Sequence, residues 1–291
     1  MASTGGICSD VRVEVHGKRL WFDVDGHGLD AVGGEMRPRP TVVLLHGGPG
    51  GFDHSYFKPD FSRLTDVAQV VYLDLPGHGR SDWGAAEDWS FDMAGDAVRA
   101  FCDVIGLDDP IVLGHSFGGQ VAIAYASRHP DHPAGLILQS TMAHFDLDRV
   151  VDGFRESAGA EIADIVRRSY LGDGTVAAEE WDRCWRLFGG WVPGALEKAR
   201  IPRNDELNVV GGRLMLEFDL RPALSDVGCP TLISVGNLDP ITPVWASEEM
   251  ASALPDGLAT LEVLESAGHF PWRDAPQPYW ASVERFVNSL S

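Results

Sequence analysis

The chain has 291 residues, of which 44% are hydrophobic and 23% charged; this is the composition of a soluble globular protein with enough apolar material for a large core. Its formal net charge of −20 argues against nucleic acid and anionic membrane surfaces as partners. No run of about 18 apolar residues occurs, so no membrane span is expected, and residues 1–6 lack a basic segment followed by an apolar one, so no signal peptide is expected. Cys8, Cys102, Cys184 and Cys229 are scattered without metal-ligand spacing, which fits reduced thiols in a cytoplasm and implies no metal site.

Residues 11–15 and 20–24 read as two short antiparallel strands with Gly17 near the turn. The Gly/Pro/Arg-rich stretch 33–40 reads as a loop. Four continuous apolar runs follow at 41–45, 69–73, 110–113 and 135–139. Such runs suggest strands buried on both faces, as in a parallel sheet. Segments of helical length, 91–105 and 117–127, lie between them. This βαβ rhythm predicts a doubly wound α/β sheet. From 142 to 222 the period is helical and no buried strand is convincing. The rhythm then resumes with strands at 231–235 and 261–264 and helices at 243–254 and 278–290. The predicted organisation is a core made of 1–141 and 223–291, with a helical cap inserted at 142–222.

The chemistry-bearing signal is Gly114-His115-Ser116-Phe117-Gly118, followed by Gly119. It matches G-x-S-x-G with a strand before it and a helix after it, the context of a nucleophile elbow. A serine hydroxyl needs a base to take its proton and a group to orient that base. In the elbow topology both follow the serine, in the order acid then histidine. His269, just past the strand at 261–264, is the candidate base. His129 and His132 read as surface or helix-capping residues, and His144 as a residue that could line a pocket. Asp239, just past the strand at 231–235, is the candidate acid, with Asp146 as the alternative. The oxyanion donors are expected to be the backbone N–H of Phe117 and that of Gly48 in the loop His46-Gly47-Gly48-Pro49-Gly50. His46 reads as a structural partner of that loop. Neither a P-loop nor a dinucleotide fingerprint is present, so no nucleotide cofactor is expected.

In combination, the 46–50 loop, the 74–82 turn, the elbow, Asp239 and Gly268-His269 resemble the α/β-hydrolase superfamily over nearly the whole chain. The resemblance implies a mostly parallel eight-stranded sheet, a covalent acyl-serine mechanism and no metal or organic cofactor. Residues 46–51 are further similar to the loop of proline iminopeptidases. The stretch 204–211 resembles the one whose glutamate binds the substrate's α-amino group, which here is Glu206. The chain departs from that group by placing Pro240 directly after Asp239, and by carrying His115 and Phe117 in the elbow. Expected substrate contacts are Glu206, His115, His144 and Trp185. Trp185 belongs to an aromatic stripe with Trp181 and Phe188 that reads as core or as pocket wall.

Three substrate classes follow for a small-molecule or short-peptide substrate. The leading one is an ester or lactone, followed by an N-terminal residue of a short peptide and by a carbon–carbon bond. A non-catalytic small-molecule receptor on the same fold is the rival from outside catalysis. The protein is expected to be a monomer or homodimer.

Overall fold

The computed structural model describes residues 11–58, 60–171, 180, 183, 184 and 201–290. Its strands are β1 (Val11–Val15), β2 (Lys18–Asp25), β3 (Leu29–Val32), β4 (Glu35–Pro38), β5 (Thr41–Leu45), β6 (Gln69–Leu73), β7 (Ile111–His115), β8 (Gly135–Gln139), β9 (Thr231–Gly236) and β10 (Ala259–Leu264). Eight of them form one sheet in the order β1-β2-β6-β5-β7-β8-β9-β10. The pairs β1–β2 and β2–β6 are antiparallel, and every pair from β6 to β10 is parallel. The continuous apolar runs have a direct cause. Val43 and Leu45 of β5 point into one core layer with α1 (Phe91–Ile105) and α2 (Phe117–Arg128). Val42 and Leu44 point into the other layer, which holds Phe57, Trp272 and Tyr279. Successive side chains of a strand face opposite ways, so a sheet covered on both faces needs apolar residues at every position.

The helix before β7, α1, is capped at both ends. Ser90 caps α1 by accepting from the N–H of Met93 at 3.1 Å, and Gly106, at φ 73°, ends the helix in the left-handed region. Beyond β8 come α3 (Leu147–Ala158), α4 (Ala160–Leu171), α5 (Asp205–Glu217) and α6 (Arg221–Leu224), with α7 (Val244–Ala253), α8 (Pro271–Asp274) and α9 (Pro276–Ser289) completing the chain. Among the described residues of 142–222 there is no strand, only an isolated bridge between His144 and Asp219. No helix among the described residues is long and apolar enough to cross a membrane.

The structure corrects the reading of 33–40 as a loop. Residues 35–38 are a strand, β4, paired antiparallel with β3 around Gly33-Gly34. Almost every residue of this hairpin is exposed, so it carries no apolar alternation for periodicity to detect. Its sequence signal is the Gly-Gly turn, whose two positive φ angles suit a two-residue hairpin.

Candidate active site

The candidate site residues lie just past the carboxyl ends of β7, β9 and β10, the edge at which ligand sites form in open α/β sheets. Ser116 joins β7 to α2 with φ 53° and ψ −121°, a left-handed φ that a non-glycine residue adopts only when its surroundings enforce it. Those surroundings are crowded. A Cβ at Gly114 would collide with the carbonyl of Gly118, and one at Gly118 with the carbonyl oxygens of Leu45 and His46. The backbone of Ser116 is held on both sides. Its N–H donates to the Gln139 carbonyl at 3.0 Å, and its own carbonyl accepts from Thr141 Oγ1 at 2.7 Å. Phe117 is buried, and its ring stacks on Trp89 with centroids 4.9 Å apart. What Phe117 presents to the edge is therefore its backbone N–H, an orphan donor at the positive end of α2.

Asp239 and His269 lie past β9 and β10. His269 Nδ1 is 2.8 Å from Asp239 Oδ2, and both side chains are buried. A carboxylate only accepts, so Nδ1 is the donor of this bond. Asp239 is itself fixed. Its Oδ1 accepts from the N–H groups of Ile241 at 2.9 Å and Thr242 at 3.1 Å, and its Oδ2 accepts from Thr242 Oγ1 at 2.5 Å. The backbone carbonyl of His269 lies 2.9 Å from His115 Nε2, which ties the β10 loop to the residue preceding Ser116.

The 46–51 loop is pinned atom by atom. Gly47 N–H donates to Tyr56 Oη at 2.5 Å, Gly50 N–H to His78 Nε2 at 2.9 Å, and Gly51 N–H to the Pro49 carbonyl at 2.7 Å. Pro49 has no N–H, which leaves Gly48 as the loop glycine whose N–H has no partner among the described residues. His46 donates from Nδ1 to the Gly47 carbonyl at 2.7 Å and accepts the Leu75 N–H on Nε2 at 3.1 Å. Burial lowers the pKa of His46 and brings that of His78 down to about 3. The 74–82 segment behaves as a structural turn. Asp74 accepts from the N–H groups of His54 at 3.0 Å and Arg80 at 2.9 Å, and the Ser81 hydroxyl donates to the Asp74 carbonyl at 2.6 Å.

Helix α5 starts on this loop. Asn204 caps it by accepting the Leu207 N–H at 3.1 Å. Asn204 also donates its backbone N–H to the Gly50 carbonyl at 2.9 Å and its side-chain amide to the Gly77 carbonyl at 3.0 Å. Gly50, at φ 65°, lies so close that a Cβ there would strike the backbone of Asn204 and Asn208.

The remaining expected residues fall differently. Glu206 is exposed in the first turn of α5, without an ion pair among the described residues. His144 is half-buried, with its backbone bridged to Asp219. His115 is enclosed, and both ring nitrogens are engaged, Nδ1 with Tyr56 Oη at 2.8 Å and Nε2 with His269. Trp185, with Trp181 and Phe188, lies outside the described residues. Asp146, the alternative acid, caps α3 by accepting the Arg149 N–H at 3.1 Å. Tyr56 and Asn204 carry no local sequence signal, because their partners His115 and Gly77 are 59 and 127 positions away; Thr242 binds Asp239 only three positions away, as part of the turn that follows β9. Among the described residues, Asp53, His54 and Asp74 place ligand-type atoms within 4.8 Å of one another. These atoms already serve the turn: Asp74 Oδ1 bonds to His54 Nδ1 at 2.7 Å, and Asp53 Oδ1 accepts the Ser55 N–H at 2.9 Å.

The model of the alpha/beta hydrolase fold matches residues 40–276. The chain is 27% identical to RutD of Caulobacter sp. (strain K31), which carries the name of a carbamate hydrolase, over 91% of this chain and 97% of the relative. It is 25% identical to the proline iminopeptidase of Heyndrickxia coagulans over 86% of this chain and 91% of that one. Identity to the pimeloyl-[acyl-carrier protein] methyl ester esterase of Chromobacterium violaceum is 29%, over 82% and 91%. Among solved structures, VinJ superposes with a TM-score of 0.76 at 21% identity, covering 98% of this chain and 99% of that one. The proline iminopeptidase of Mycobacterium smegmatis does so with 0.74 at 20% identity, covering 97% and 98%. With a sheet of this order and a match running from β5 to the start of α9, the chain belongs to the alpha/beta hydrolase fold family.

Proposed function

We propose that the protein is a serine hydrolase that cleaves a carboxylic ester or lactone of a small to medium molecule through an acyl-serine. Ser116 attacks the carbonyl carbon, and its hydroxyl proton passes to Nε2 of His269. Asp239 holds Nδ1–H of His269 and stabilises the imidazolium. The oxyanion is received by the N–H groups of Gly48 and Phe117. Collapse of the tetrahedral intermediate expels the alcohol, which takes the proton from His269. Water activated by His269 then adds to the acyl group and frees Ser116. The observation that carries this reading is the buried 2.8 Å pair of His269 Nδ1 and Asp239 Oδ2, with its base linked to the strained elbow through His115.

The choice of ester over peptide rests on the carboxylates. Both oxygens of Asp239 are committed within the protein, and Pro240 supplies no second acid beside it. A second reading, iminopeptidase-like removal of an N-terminal residue, draws support from one feature. Glu206 stands two residues beyond Asn204, whose N–H donates to the Gly50 carbonyl, so the helix turn that carries this carboxylate starts against the loop. The segments from 142 to 222 act in either case as a cap that selects substrate.

Turnover of p-nitrophenyl butyrate and prolyl-p-nitroanilide by the wild type and by Ser116→Ala and Glu206→Gln tests both readings. Ser116→Ala abolishes turnover and labelling by a fluorophosphonate; normal activity in that variant refutes the acyl-serine. Preferential turnover of the butyrate supports the ester reading. A selective loss of the prolyl substrate in Glu206→Gln would favour the iminopeptidase instead.

A further inference from the structure

A tyrosine outside every motif and the residue before the nucleophile are joined in one buried chain of hydrogen bonds. Gly47 N–H donates to Tyr56 Oη at 2.5 Å, Tyr56 Oη lies 2.8 Å from His115 Nδ1, and His115 Nε2 lies 2.9 Å from the carbonyl oxygen of His269. Tyr56, His115 and His269 are all buried. The direction of every bond is fixed by elementary chemistry. A carbonyl only accepts, so Nε2 of His115 carries a proton. Burial drives the pKa of His115 well below its ordinary value, so the ring is neutral and its Nδ1 is bare. Tyr56 must therefore give its one hydroxyl proton to Nδ1, and its oxygen is left to accept from Gly47. Burial raises the pKa of Tyr56, which keeps that proton in place.

The two ends of the chain are the two halves of the proposed chemistry. Gly47 precedes Gly48, the oxyanion donor, and a Cβ at Gly47 would sit 3.4 Å from Ser116 Cβ and 3.3 Å from Tyr56 Oη. The other end is the backbone of the base itself. The rings between them cannot swing freely. Tyr56 stacks on Trp272 with centroids 6.3 Å apart, and the edge of Trp272 meets His115 at 5.0 Å. We propose that Tyr56 and His115 are positioning residues that hold the oxyanion loop in register with His269, an assignment that rests on the acyl-serine reading above. Neither contacts a reacting atom. Their effect is on the distance between the oxyanion donors and the base, and misplacement of about 1 Å there can cost roughly 100-fold in rate.

The test uses Tyr56→Phe, His115→Asn, their double variant and Ser116→Ala in the full chain, with p-nitrophenyl butyrate as substrate. Each single change lowers kcat by about 10- to 100-fold with KM little changed. Because the pair acts as one unit, the double variant is no slower than the slower single variant. An unchanged kcat in Tyr56→Phe, or losses that multiply in the double variant, overturns the assignment. Nitrogen-15 NMR of the wild-type histidine rings gives a reading independent of any variant's folding. The His115 ring is neutral with its proton on Nε2, and a proton on Nδ1 overturns the assignment. If Ser116→Ala stays active, the acyl-serine itself falls. If activity requires Ser116 but Tyr56→Phe keeps the full rate, only the positioning role falls.

Discussion

His78 makes acid stability a direct probe of the 46–51 loop, the proposed oxyanion loop. Its ring is buried, donates from Nδ1 to the Pro76 carbonyl at 3.0 Å and accepts the Gly50 N–H on Nε2 at 2.9 Å. Protonating Nε2 would remove the acceptor that Gly50 has among the described residues, and burial, followed by the neighbouring His46, lowers the pKa from 6.5 to about 3. The folded state therefore binds fewer protons than the unfolded state between these two values. Stability from this group is complete above pH 6.5 and declines as the pH falls toward 3. The whole gap corresponds to about 5 kcal/mol at about 1.4 kcal/mol per pH unit, and about 2 kcal/mol of it is lost by pH 5. Burial lowers His46 and His115 in the same direction and steepens the slope. Urea denaturation of the wild type and of His78→Asn at intervals from pH 7.5 to 5, above the range in which ordinary carboxylates titrate, isolates the His78 share. The variant is less stable at pH 7.5, and the difference narrows by about 2 kcal/mol on reaching pH 5. Two parallel curves would refute the reasoning.

Two further outcomes follow from backbone geometry. Ser116→Gly removes the proposed nucleophile but also relieves a non-glycine φ of 53°, a strain of roughly 1–3 kcal/mol, of which the freer unfolded glycine takes back about 1 kcal/mol. The inactive variant should melt a few degrees above the wild type by calorimetry; a lower Tm would show that the elbow stores no strain. Gly50→Ala combines a φ of 65° with a Cβ that meets backbone atoms of Asn204 and Asn208 rather than a movable side chain. It should lose roughly 2–4 kcal/mol in urea denaturation and lower kcat, whereas wild-type stability would mean that α5 does not bear on the loop.

The strands that position the site are legible in the sequence because burial on both faces leaves its mark on every residue. β5, β6 and β8 begin and end where the apolar runs do. The β3–β4 hairpin is not legible in this way, since an exposed ribbon has no core to impose a pattern. The same contrast divides the site. Ser116, Asp239 and His269 stand out because the proposed nucleophile, acid and base must occupy strand ends in a set order. The residues that hold them do not stand out. Tyr56 is 59 positions from its partner His115, and His115 is 154 from His269. Nothing local requires a tyrosine at 56; only the fold gives it Gly47 to receive and His115 to serve. His115 shows the reverse error of emphasis, since its place beside the nucleophile suggests substrate contact while both its nitrogens face protein.

The contact between α5 and the loop also bears on how selectivity and rate are related in this protein. Gly50 is gripped on one side by His78, from the core, and on the other by Asn204, at the start of a helix inserted between β8 and β9. Gly211, two helical turns further along α5, packs on Pro49 so closely that a Cβ would overlap the ring. The helix between β8 and β9 thus packs directly on the 46–51 loop, the proposed oxyanion loop, and is not a separate lid above it. On the proposed mechanism, a change in α5 that alters which substrate fits also disturbs Pro49 and Gly50, the residues next to the proposed donor Gly48. Stabilisation of the transition state depends steeply on the aim of such a donor. Substitutions in this helix should therefore move kcat together with KM, and variation of substrate preference at constant rate is to be sought in segments that do not touch Pro49 or Gly50.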